Sequence, residues 1–196
     1  YDVVFLGDVG IESRQLTAQN CAHLRQLVRS NAGGLVFMPG FRGRQMSLLT
    51  TELEELYPVI PESSQPKGVG SPRAARYALT EAGHRSLLTR LETRDEDNER
   101  VWQDLPGFHW FAATSRAKVG SEVLVTHDSE VTRYGRVPLI VTRTSGTGKV
   151  LFMGTDSAWR WRKGVEDLYH YRFWGQVVRW MAYQRNMSQG ESMRLF

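Results

Sequence analysis

Val3-Val4-Phe5-Leu6, the segment from Cys21 to Val28, and Leu35-Val36-Phe37-Met38 together decide the fold. The first and last are short, unbroken apolar runs closed by Gly7-Asp8 and Pro39-Gly40, as expected of strands buried on both faces. Between them Cys21, Leu24 and Val28, with Leu27 alongside, recur at helical spacing. Thr17 offers the side chain of an N-cap, and Asn31-Ala32-Gly33-Gly34 stops the pattern. Strand, helix and strand in this order make a βαβ unit, with parallel strands joined by a right-handed crossover.

Outward from this unit the pattern changes. Thr51 to Leu56 predicts a short helix that Pro58 ends. Pro61 to Pro72, rich in Pro, Gly, Ser and Lys, predicts a surface loop, and the mixed charges of Arg94 to Arg100 a solvated turn or helix face. Phe108 to Ala113, Glu122 to Thr126, Leu139 to Arg143 and Val150 to Met153 have strand character. Ser145-Gly146-Thr147-Gly148, between the last two, predicts a hairpin turn. A closing helix from about Tyr169 to Gln184 presents Phe173, Val177 and Met181 on one stripe, with Trp174 and Val178 beside it, to pack on the sheet.

The composition suits one globular domain spanning 1–196: 41% hydrophobic and 23% charged residues in a chain long enough for a single sizeable core. No apolar run approaches the roughly 20 residues of a membrane helix, so no membrane contact is expected of these residues. The chain opens inside a strand-like run, without a signal peptide, and ends on apolar residues within Glu191-Ser192-Met193-Arg194-Leu195-Phe196. It is therefore expected to be a fragment of a longer protein. A net charge of +4 permits weak attraction to anions without demanding nucleic acid.

Few residues carry the marks of chemistry. Ser145-Gly146-Thr147-Gly148-Lys149 lacks the spacing G-x-x-x-x-G-K-[ST], and Val150 follows where a phosphate loop needs Ser or Thr, so it reads as the hairpin. The single cysteine, Cys21, sits on the apolar stripe of its helix, away from any base that would activate it, and reads as a core thiol. Neither the five histidines, His23, His84, His109, His127 and His170, nor the cysteine forms a metal-ligand pattern, and there is no G-x-S-x-G elbow. No cofactor is expected. Trp159-Arg160-Trp161-Arg162, followed by Tyr169, Tyr171, Arg172, Phe173 and Trp174, is the most unusual composition in the chain. It reads foremost as Trp rings covering the sheet, with arginines paired to Asp156, Glu166 and Asp167; an anion or protein contact comes second and nucleic acid last.

Taken together, several segments resemble the class I glutamine amidotransferase-like superfamily, in particular the domain found in large bacterial membrane-anchored proteins that also carry a von Willebrand factor A-type domain. The likeness rests on Tyr1 to Asp8, Gly33 to Gly40, Trp102-Gln103-Asp104-Leu105-Pro106, Gly148 to Arg162, and Tyr171-Arg172-Phe173-Trp174-Gly175-Gln176. It implies a flavodoxin-like, doubly wound, mostly parallel sheet with an antiparallel extension in the last third. It also implies a nucleophile in a G-x-C-x-G-x-Q turn after a strand. Here that turn is Pro39-Gly40-Phe41-Arg42-Gly43-Arg44-Gln45, with Phe41 where the sulfur belongs. The partner His-x-Glu would fall near Gly154-Thr155-Asp156, where no histidine stands.

The expectation is therefore a degenerate, non-catalytic member acting as a ligand- or protein-binding module, serving other domains of its parent chain, a protein partner or a small anionic ligand. Asp8, Gly40, Phe41, Arg42, Asp156 and Arg160 would gather at the carboxyl ends of the strands. An enzyme using Asp8 or Asp156 as acid or base, and a purely structural spacer, are the alternatives. The resemblance places the domain outside the cytoplasm in a membrane-anchored bacterial parent.

Overall fold

A computed structural model describes residues 1–11, 16–164 and 167–190, with 184–190 described by their backbone alone. The expected apolar end at 191–196 and the expected role of Glu166 lie outside the described residues.

The βαβ unit forms as the sequence predicts. Strand β1 (Val3–Leu6) pairs in parallel with β2 (Gly34–Phe37), and helix α1 (Ala18–Asn31) connects them. A reciprocal pair of hydrogen bonds starts α1: the Asn20 backbone N–H donates to Thr17 Oγ1 (3.1 Å) and the Thr17 N–H to Asn20 Oδ1 (2.9 Å). The far end of α1 is met by the hairpin turn at Ser145–Gly148. There Thr147 N–H donates to Arg29 O (3.0 Å) and Ala32 N–H to Thr147 Oγ1 (3.1 Å). The glycines of that turn thus serve contact with a helix end and leave no phosphate cradle.

One six-stranded sheet has the order β1-β2-β10-β9-β8-β5. Strand β10 (Gly148–Met153) lies parallel to β2 and antiparallel to β9 (Gly135–Ser145). Next come β8 (Ser121–Thr132) and β5 (Tyr77–Leu79), both antiparallel to their neighbours. The sheet is therefore mixed, and the expectation of a mostly parallel sheet is corrected: only β1, β2 and β10 run parallel. Successive hairpins join β8, β9 and β10, and a hairpin can join only antiparallel strands.

Alternating side chains of the central strands feed two cores. Leu35, Phe37, Val150 and Phe152 pack with Cys21 and Val28 of α1. Val36, Leu151 and Met153 pack on the opposite face with Phe173, Val177 and Met181 of α4 (Leu168–Gly190). Period-two alternation in an all-apolar strand demands a cover on each face, and one helix supplies each. Cys21 is fully buried, as expected of a core thiol.

The middle of the chain holds more structure than its composition suggests. Between β2 and β5 lie two 3-10 turns, Arg44–Thr50 and Glu52–Leu56, then β3 (Val59–Pro61) and β4 (Val69–Ala75). A short helix α2 (Glu81–Arg85) and the charged stretch, which becomes α3 (Asp95–Asp104), follow. Strands β6 (Phe108–Phe111) and β7 (Thr114–Ala117) pair with β4 and β3. The expected loop at 61–72 therefore contains the start of a strand. Pro72 is tolerated because the β4–β6 ladder is interrupted between Gly70 and Ala75.

Candidate functional site

The carboxyl ends of β1, β2 and β10 open on a cleft of about 320 Å³, lined by Gly7, Asp8, Met38, Pro39, Gly40, Phe41, Arg42 and Asp156. Parallel strands bring these residues together because each ends at the same edge and hands over to a turn there. Of the six residues expected to gather, five line this cleft, and Arg160 stands farther along the turn that begins at Asp156.

The turn after β2 is fixed from beneath and from the side. Asp8 accepts hydrogen bonds from the backbone N–H groups of Arg42 (3.0 Å) and Arg44 (2.8 Å), one on each carboxylate oxygen. A Cβ on residue 40 would come within 2.8 Å of Asp8 Cβ, so glycine is what lets the turn approach that carboxylate. Gly43 adopts φ 69°, in the left-handed region, and a side chain there would strike Pro66 O. Gln45, only 2% exposed, donates through Nε2 to Leu6 O (2.7 Å) and Gly7 O (2.6 Å), and its Oε1 accepts from Tyr57 Oη (3.0 Å). Burial, then the negative Asp8, pushes the Tyr57 phenol well above its ordinary value, so it remains a neutral donor.

Phe41 occupies the tip of this turn, 61% exposed, with the Arg42 guanidinium 5.7 Å from its ring centroid. On the inner side, among Gly40, Gly43, Gln45, Tyr57, Trp110 and Phe152, the cavity measures about 20 Å³. That is room for one water and not for an amino-acid side chain.

The second turn follows β10. Thr155 is buried and accepts a hydrogen bond on Oγ1 from Ser157 N–H (3.2 Å); Asp156 is exposed and accepts from Ser157 Oγ (3.1 Å). Ser157–Arg162 then forms a 3-10 turn. Its two tryptophans part company: Trp161 is fully buried against Tyr77, Trp102 and Phe173, whereas Trp159 is 63% exposed with the Arg160 guanidinium 5.8 Å from its ring centroid. The expected covering of the sheet by Trp rings thus holds for one ring and fails for the other.

The expected arginine pairing is likewise divided. Arg162 pairs with Asp167, which holds the Asp167 carboxyl below its usual value. Among the described residues Arg160 has no ion pair with Asp156 or any other carboxylate, and its buried Nε has no hydrogen-bond partner. His170, the histidine of this neighbourhood, has Nδ1 3.1 Å from Ala158 O, so its proton is held on a backbone carbonyl. No group of three or more metal-ligating side chains occurs among the described residues.

The sequence pointed to Asp8 as a cleft residue without indicating its task, which is to tie down backbone from the next strand's turn. Gln45 and Tyr57 were missed as the support of that turn. The available signal was Gln45 itself, a polar residue closing a glycine turn just ahead of the apolar Leu48 and Leu49.

No protein-family model and no curated protein matches the chain. Among solved structures it is similar to cytoplasmic protein STM3548 from Salmonella typhimurium, with a TM-score of 0.67 and 18% identity over 92% of this chain and 72% of that one. Cytoplasmic protein STM1381 from Salmonella typhimurium LT2 aligns with a TM-score of 0.63 and 19% identity over the same shares. At such identities the likeness shows an α/β fold and nothing of activity. Both relatives are described as cytoplasmic proteins, which overturns the expected placement outside the cytoplasm. Among the described residues no helix is long and apolar enough to cross a membrane.

Proposed function

We propose that this chain is a degenerate, flavodoxin-like domain of the class I glutamine amidotransferase type that binds a ligand or protein partner at the carboxyl edge of its sheet and does not hydrolyse glutamine. One observation carries the reading. The turn at the expected nucleophile position is held by Asp8 on its backbone and by Gln45 and Tyr57 beneath it, yet presents the exposed ring of Phe41. A thioester route needs a sulfur and a base at that position, and a phenyl ring supplies neither. Thr155 and Asp156 stand where the base would be expected, and the Thr155 hydroxyl is turned back onto its own backbone.

Carboxylate chemistry in the same cleft finds less support, because both oxygens of Asp8 are engaged by backbone N–H groups. A spacer domain would need no cleft. The test is ammonia release from glutamine by the purified chain beside a Cys21→Ser variant. No release above the buffer background from either is the expected result; release that disappears with Cys21→Ser overturns the reading.

A further inference from the structure

The cleft's rim carries an imbalance that the fold does not require. Arg42, Arg160 and Lys163 have no carboxylate within ion-pair distance among the described residues, while Arg162 next to them is neutralised by Asp167. Two large rings, Phe41 and Trp159, stand more than half exposed on the same edge, each with a guanidinium beside it. Exposed Trp and Arg side by side make up the usual composition of an interaction hot spot. A buried donor sharpens the point. Trp161 Nε1 and Tyr77 Oη also lack partners, but their rings touch at 5.4 Å and a small shift would let them serve one another. Arg160 Nε is buried near the same Tyr77, while the Arg160 side chain also lines an open groove with Trp159, Arg162 and Lys163. Guanidinium donates and never accepts, so what the unpaired Arg160 takes up in that groove is an acceptor, and the acceptor that binds a cation best is an anionic oxygen.

We infer that this rim captures an acidic segment of a protein partner, with one carboxylate docking on Arg160 and apolar or backbone atoms covering Trp159. The inference rests on the binding-module reading above and adds the partner's chemistry. A protein fits better than a nucleic acid because the cleft is not uniformly positive: exposed Asp156 lines it together with Phe41 and Arg42. A phosphodiester backbone would meet that carboxylate with like charge at every register. A peptide can place a backbone N–H there and carboxylates on either side.

The test is fluorescence anisotropy with a fluorescein-labelled octapeptide of alternating Glu and Ser, at low and at physiological salt. Saturable binding is expected, weakening with salt. It should fall about tenfold in Arg160→Gln, the loss of one charge-assisted hydrogen bond, and about threefold in Lys163→Gln, a surface charge. Circular dichroism and melting of each variant separate lost binding from lost fold, and Lys163→Gln keeps the test decisive should Arg160→Gln unfold. Absence of saturable binding, or equal binding by both variants, overturns the inference. So does tighter binding of an oligothymidylate, or competition by glutarate at the peptide's own concentration, which would assign the site to nucleic acid or to a small acid. Glutamine hydrolysis is measured separately: if none occurs and the peptide does not bind, this inference alone fails.

Discussion

The turns that follow β2 and β10 leave neighbouring parallel strands at the same edge of one sheet, yet they are finished in opposite ways. In the first, Asp8, Gln45 and Tyr57 answer the local polar groups from within the chain. In the second, Asp156 is exposed, Trp159 lies open to solvent and the buried Arg160 Nε has no acceptor among the described residues. A turn that satisfies itself has little left to offer a ligand, whereas one that leaves a donor unanswered holds binding capacity in reserve. The contrast locates stability in the first turn and recognition in the second.

The largest effect that would break this contrast is on the first turn. Gln45→Ala leaves Tyr57 Oη without its partner in a buried place and takes one of two donors from Leu6 O and Gly7 O, which keep the backbone N–H groups of Met38 and Val9. We expect a loss of about 2 kcal/mol, and thermal denaturation should show a melting temperature lower by roughly 4–8 °C. A shift below about 2 °C would mean that water replaces the amide, and the turn would not be self-sufficient.

These differences were unevenly legible in the sequence. Val3 to Leu6, Thr17 and the run from Leu35 to Met38 were readable because strand burial and helix capping are written in adjacent residues. The hairpin at Ser145–Gly148 was readable for the same reason, although its docking on Arg29 was not. β4 was hidden because Pro72 and its glycines mimic a loop, and only the ladder's interruption lets them stay. β8 runs beyond its apolar centre unannounced because Asp128, Ser129, Glu130 and Thr132 are polar and the one apolar residue among them, Val131, is exposed, which erases the alternation that marks a strand. At the site, residue types could be named and their tasks could not. Asp8 grips backbone more than thirty positions away, and the isolation of Arg160 is a fact about what surrounds it.

An acid titration sharpens the comparison by weakening the sheet that carries both turns while leaving the turns themselves alone. His127 is 5% exposed, and its Nδ1 accepts from the backbone N–H groups of Ser129 (3.2 Å) and Glu130 (3.0 Å), with Phe108 and Phe111 edge-on to the ring. Burial lowers its pKa against the opposing pull of Asp128 and Glu130. The folded chain thus binds this proton less readily than the unfolded chain, whose imidazole titrates at about 6.5. The stabilisation is complete above that value and is lost as pH falls below it towards the folded value. Melting between about pH 7.5 and 5.5 should show a decline smaller than the Gln45→Ala effect, absent in His127→Gln. Because the Gln45 amide carries no titratable group, the deficit of Gln45→Ala should persist unchanged across it. A deficit that vanished at the acid end would tie the first turn to the sheet's titration and blur the contrast.

The smallest expected change is the most telling for the second turn. Arg160→Leu removes a donor that has already given up water and gained no acceptor, so the substitution relieves a cost. Against that relief stands the partly exposed stacking of the guanidinium on Trp159, worth about 0.5 kcal/mol. Aliphatic carbons in leucine keep much of the packing of the stem. The two effects oppose one another, and the melting temperature should move by less than about 2 °C in either direction. A fall of more than about 5 °C would mean that the guanidinium finds an acceptor in the folded chain. The second turn would then be as complete as the first, and nothing in it would wait for a partner. If stability holds while acidic-peptide binding disappears, the same side chain is dispensable to the fold and required by the rim.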